Sequence, residues 1–200
     1  MTRALNGPED VRLSEFTLAF LVMGALLLWS MWQPELAGDL ELGRTKLTIW
    51  ATTFLLAPAL VLYLFRTVSR GTANLAALFW TAAWVVFVAH AYWAVFIIFD
   101  GVEDTFAQQG TVIASGNFAL LGLWTLDVIL LWLLPARFQF VPFQVLARLL
   151  AFAIFAFTLV GLRGGAVQML GIAFIAVVVV AAIIRAGTHV STLEPTEALA

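Results

Sequence analysis

The stretch "LAALFWTAAWVVFVAHAYWAVFIIF", Leu75–Phe99, carries a single ionisable group that titrates near neutrality, His90, in an otherwise apolar and aromatic run. Coiled as a helix at about 1.5 Å per residue, it is long enough to cross the ~30 Å hydrocarbon core of a bilayer. Its apolar residues do not alternate with polar ones, as they would in a half-buried strand. The stretch therefore reads as a transmembrane helix. Five more blocks read the same way: about Phe16–Trp32, Leu47–Leu64, Phe118–Leu134, Leu146–Leu162 and Ala166–Ile184. In lipid a backbone must satisfy its own hydrogen bonds, and no barrel pattern appears, so all six are expected to be helices.

The predicted fold is an all-α integral membrane protein, a bundle of about six transmembrane helices with both termini cytoplasmic. Residues 1–15 form an N-terminal segment, 16–185 the six-span domain and 186–200 a flexible tail. The bulk composition agrees: 63% of the chain is hydrophobic and 11% charged, against about 25% charged in a soluble domain. The first block exceeds the roughly 7 to 15 residues of a signal-peptide core and is followed by no small-x-small cleavage site, so it reads as a retained span. The turn "RGG" at Arg163–Gly165 makes an antiparallel hairpin of the last two spans. Pro58 falls mid-span and is expected to kink the second helix, whereas Pro34, Pro135 and Pro142 sit at span ends.

Orientation follows from the basic residues. With the N-terminus inside, Arg3, Arg12, Arg66, Arg70, Arg137, Arg148 and Arg185 fall on inner segments, and Arg44, Lys46 and Arg163 on outer ones. Residues 100–116 then form the longest outer loop. In a bacterial host the location is the cell inner (plasma) membrane, as a multi-pass protein. Trp29, Trp32 and Trp50 near one interface, and Trp80 and Trp132 near the other, make the aromatic belt of any such protein.

Two ionisable residues lie well inside the predicted spans. His90 is ten residues before Asp100, where the third span exits, and Asp127 is ten residues after Asn117, where the fourth begins. Equal helical rise puts them at one depth, and a charged Asp at mid-bilayer, which costs roughly 2.5–3.5 kcal/mol, needs a partner. Trp93 and Trp124, three residues from each, share their faces. A buried His90–Asp127 pair flanked by Trp93 and Trp124 is the expected polar centre, serving either as a packing lock or as a working site such as a proton relay. The second candidate is the outer acidic loop with Asp100, Glu103 and Asp104. Three carboxylates can attract a hard cation, but the spacing is not that of an EF-hand, and a solvated loop is the simpler reading.

Several classes are excluded. The chain has no cysteine, hence no disulfide or thiolate metal site. A net charge of −2 without a basic run gives no purchase for nucleic acid. His90 and His189 fall at opposite ends, so they cannot bracket a haem, and two histidines are too few for a His-only zinc site. No nucleotide-binding, metalloprotease or serine-hydrolase motif occurs, so no catalytic residues, metal site or cofactor are assigned. With 17 Phe and 8 Trp, the aromatic surfaces suit packing against helices, a quinone, a pigment or lipid. The leading expectation is a non-catalytic membrane subunit of a larger energy-transducing or electron-transfer assembly, surrounded by the lipid bilayer and by other membrane subunits or copies of itself. The alternatives are a small proton-coupled transporter or channel, and a membrane enzyme acting on a lipid or isoprenoid.

Overall fold

The computed structural model describes residues 7–37, 40–135 and 138–190. They form seven α-helices and two π-helical turns: α1 (Leu13–Ala37), α2 (Glu41–Leu64), α3 (Arg70–Tyr92) running into π1 (Trp93–Ile98), α4 (Val102–Gln109), α5 (Thr111–Leu133), α6 (Val141–Ala156) running into π2 (Phe157–Gly161), and α7 (Gly165–Val190). Six helical segments, all but α4, are long and apolar enough to cross a membrane, as in a multi-pass membrane protein. The two ends of the bundle are called here the α4 end and the α2–α3 end, the latter holding the 65–69 connection.

The centre of the bundle is the α2–α3 hairpin. Half of the apolar window of α2 is buried, against 11% for α1 and 17% for α7, so those two helices lie at the rim. Small residues let the central helices approach closely: Ala51 and Ala59 on α2, and Ala73, Ala76, Ala77 and Ala83 on α3, are all buried. The larger side chains Leu55, Leu56, Trp80 and Val86 fill the spaces between. α2 also buries Thr48, Thr52 and Thr53. Each hydroxyl donates to a carbonyl four residues back, on Arg44, Thr48 and Ile49 respectively, which removes the cost of an unpaired hydroxyl in an apolar interior.

At the α2–α3 end, Ser69 caps α3 by accepting from the Thr72 backbone N–H at 3.1 Å. Asn74, on the first turns of α3, is fully buried and pairs with the backbone of Glu9 in both directions, 3.0 Å each way. This ties residues 7–12 across that end. Glu15 closes the start of α1 by accepting from the Arg12 N–H at 3.0 Å, the second half of a capping box.

Five elements differ in extent or presence from the sequence reading in ways that move the site or the ends of the bundle. The expected loop 100–116 contains a helix, α4, entered through left-handed Asp100 (φ 57°), and α5 begins at Thr111, before Asn117. α6 begins at Val141, so Arg148 lies about 10 Å inside it rather than at its edge. α2 starts at Glu41, which makes Arg44 and Lys46 helical. α7 extends through Ala186–Val190, so the start of the expected tail is helical, and residues 191–200 lie outside the described residues, as do Arg3 and Arg137.

The hairpin of the last two spans is present. α7 packs on π2 at Gly171, where a Cβ would come within 2.7 Å of Leu159 Cβ and 2.8 Å of Val160 Cγ2. Hydrogen at this position is what permits the close approach.

Candidate functional site: a buried ion pair joining four helices

Asp127 on α5 and Arg148 on α6 are 1% and 5% exposed. Arg148 Nη1 donates to Asp127 Oδ2 at 3.0 Å. The indole Nε1–H of Trp80, on α3, donates to the same oxygen at 2.8 Å. Arg148 Nη1 also donates to the Gln144 carbonyl one turn earlier, at 2.9 Å. Its guanidinium lies over two rings, 4.1 Å from the Tyr63 centroid on α2 and 4.5 Å from that of Trp80. One cluster thus binds α2, α3, α5 and α6 together. The pair brings no net charge into the bundle, and each charge meets hydrogen-bonding or π partners, the condition under which a buried ion pair is tolerated.

Polar contacts continue from this cluster toward the α2–α3 end. Tyr63 Oη donates to Gln144 Oε1 at 3.4 Å, and Gln144 Nε2 donates to Gln139 Oε1 at 2.8 Å. Gln139 Nε2 faces the carbonyls of Leu130, Leu131 and Leu134 at 3.1, 3.1 and 2.8 Å. The Leu130 carbonyl already accepts from the Leu134 N–H at 3.0 Å, whereas those of Leu131 and Leu134 are left without helical partners at the end of α5. In the other direction the cluster passes into packed aromatic rings: Trp80 to Trp124 at 4.5 Å (tilted), Trp124 to Phe87 at 5.4 Å (stacked), and Phe87 to Phe155 at 5.8 Å (tilted).

No known protein family matches this chain, and neither a curated protein nor a solved structure is significantly similar to it.

His90 and Asp127 are not partners. His90 Nδ1 lies 2.9 Å from the Thr45 carbonyl and 3.3 Å from Thr48 Oγ1, both near the start of α2. A carbonyl only accepts, so Nδ1 carries the proton and donates. The depths differ because Asp127 sits at the level of Trp80, ten residues before His90 and so about 15 Å along α3. Starting α5 at Thr111 instead of Asn117 moves Asp127 about 9 Å further from the α4 end than expected. The tryptophans separate likewise: Trp124 is fully buried against Trp80 and Phe87, while Trp93 opens π1 with the Arg44 guanidinium 5.3 Å above its ring.

Asp100, Glu103 and Asp104 are exposed, and the last two occupy the first turn of α4, where the helix dipole favours negative charge. Among the described residues no three His, Cys, Asp or Glu side chains converge as a metal site would require. Trp80, expected in an interfacial belt, is 1% exposed.

In the sequence Arg148 has the look of an inner-loop residue and Trp80 that of a belt residue, and Tyr63 and Gln144 are left unassigned. Two signals pointed to them. Pro142, at the first helical positions of α6, marks a helix start that places Arg148 two turns inside. Ala73, Ala76, Ala77, Trp80, Ala83 and Phe87 recur at spacings of three and four, the stripe of one buried helix face.

Proposed function

We propose that this chain is a non-catalytic multi-pass membrane subunit whose polar centre is a structural lock, and that it serves within a larger assembly of the energy-transducing or electron-transfer type. The observation that carries the lock reading is the engagement of Asp127: its Oδ2 accepts from both Trp80 and Arg148, and Arg148 is held in turn by Gln144 and two aromatic rings. A relay or substrate site keeps a titratable group open to water or ligand. Here the carboxylate is enclosed, and both charges are engaged with groups of the bundle. The rim helices supply faces on which other membrane subunits would pack. α1 presents Phe16, Phe20, Leu28 and Trp32 outward, and α7 presents Met169, Ile172, Val180 and Ile183. Such faces suit lipid and neighbouring helices alike.

Purification in a mild detergent tests the proposal. A subunit is expected to bring stoichiometric membrane partners or a bound pigment with it. Recovery of a lone protein that moves protons when reconstituted in liposomes would replace this reading with that of a small proton-coupled transporter. Recovery of a lone protein that converts a lipid or isoprenoid would replace it with that of an enzyme.

A further inference from the structure

A small cavity of about 10 Å³ opens at the α2–α3 end between Tyr63, Arg66, Gln144 and Arg148. That is room for one oxygen-sized atom. The N-terminal segment adjoins it through Gly7, where a Cβ would come within 3.0 Å of the Gln139 side chain. Arg66 donates through Nη1 to the Tyr63 carbonyl at 3.0 Å, and its guanidinium lies 4.0 Å from the Tyr63 ring centroid. The same ring therefore carries two guanidinium groups, those of Arg66 and Arg148. Arg66 Nε is enclosed and has no hydrogen-bond partner among the described residues.

The local charge balance is uneven. Asp127 compensates Arg148. The acidic groups of the N-terminal segment and the start of α1 are engaged elsewhere, Glu9 and Asp10 with Arg70 at 3.8 and 2.6 Å, and Glu15 with Asn74 and the Arg12 backbone. Arg66 thus has no carboxylate partner among the described residues. Its level, just past the end of α2, is where lipid headgroups meet a spanning helix, and basic pockets between such helices bind anionic headgroups.

We propose that this cavity is an oxyanion site: it takes one phosphate oxygen between Arg66 and Arg148, and the phosphate belongs to an anionic phospholipid headgroup. An enclosed, unpartnered guanidinium N–H is costly, and an oxyanion supplies both the acceptor and the missing negative charge. The site shares Arg148 with the ion pair, whose Nη1 is taken by Asp127 and Gln144, and does not require that pair to be a lock.

The test uses the full chain in neutral detergent and native mass spectrometry of retained lipid, with phosphatidylglycerol and phosphatidylcholine offered in equal amounts. Preferential retention of phosphatidylglycerol is expected. R66Q should reduce it about tenfold, the loss of one charge-assisted hydrogen bond. R66K, which keeps the charge but lacks Nε, should also weaken it, whereas R70Q, altering an exposed arginine paired with Asp10, should not. Circular dichroism checks the fold, and if R66Q fails to fold, R66K carries the comparison. Equal retention of the two lipids overturns the proposal, and so does undiminished retention by the Arg66 variants. Displacement of the lipid by millimolar inorganic phosphate would support the oxyanion chemistry and overturn the headgroup as its source.

Discussion

Asp127 and Arg148 set the residue scale, because each makes the other's burial tolerable. Removing one partner leaves an uncompensated charge in an apolar interior, which costs about 3–5 kcal/mol, while replacing both with apolar groups of similar size is often close to neutral. D127L and R148M are each expected to destabilise by that amount in detergent unfolding, and the double variant to recover most of the loss. Additive losses would show that the contact contributes nothing. His90 supplies the contrast. It is bonded to Thr45 and not to Asp127, so the cycle between H90Q and D127N should show coupling below about 0.5 kcal/mol, the additivity expected of separated sites. The sequence displayed Asp127 as an ionisable group inside a span and correctly demanded a partner for it. Which partner was not legible, because Arg148 looked interfacial until the start of α6 was fixed at Val141 instead of Leu146, and a shift of about one and a half turns in a helix start exchanges one partner for another.

Helices and their ends form the next scale. The existence of all six spans was readable from length and apolarity, properties that average over about twenty residues. Their boundaries were not, because Thr, Gly, Gln and Arg continue a helix past the apolar stretch when neighbouring elements satisfy the chain. α4 is the clearest case: acidic in its first turn, with Phe106 stacked on Phe118 at 5.6 Å, it reads in sequence as a polar loop. The two π turns were illegible for another reason, since wide turns arise from packing rather than composition. The contact of π2 with α7 gives a measurable consequence. G171A should drive Leu159 and Val160 away from α7 and cost about 1–3 kcal/mol, as overpacking does. G122A, in a helical position with open space around its Cβ, should be neutral or slightly stabilising. Equal effects of the two on thermal stability would mean that the hairpin is not tightly packed there.

For the whole molecule, the distribution of basic residues between the two ends of the bundle predicts its orientation. The predicted division of basic residues, seven to three, places the α2–α3 end inside. Arg148 was one of the seven, and its position inside the bundle removes it from the count, leaving six against three in the same direction. Ala107, exposed on α4, offers a clean reporter in a chain without cysteine. A107C is expected to react with an impermeant thiol reagent in intact cells. Labelling only after lysis would invert the molecule and move the Arg66 site to the opposite leaflet.

The connection between the partners of the ion pair has a consequence in time. Asp127 is made 21 residues before Arg148, an interval of about 1–4 s at 5–20 residues per second. During that interval a carboxylate must be inserted before its cation exists, and Trp80, already synthesised, is the one donor of the final cluster that can meet it. Because α5 and α6 are consecutive, the next helix to be made ends the wait. The order of the chain thus keeps the unmatched state brief during biogenesis, and a rearranged chain that delivered α6 much later would expose Asp127 to quality control in the membrane for correspondingly longer.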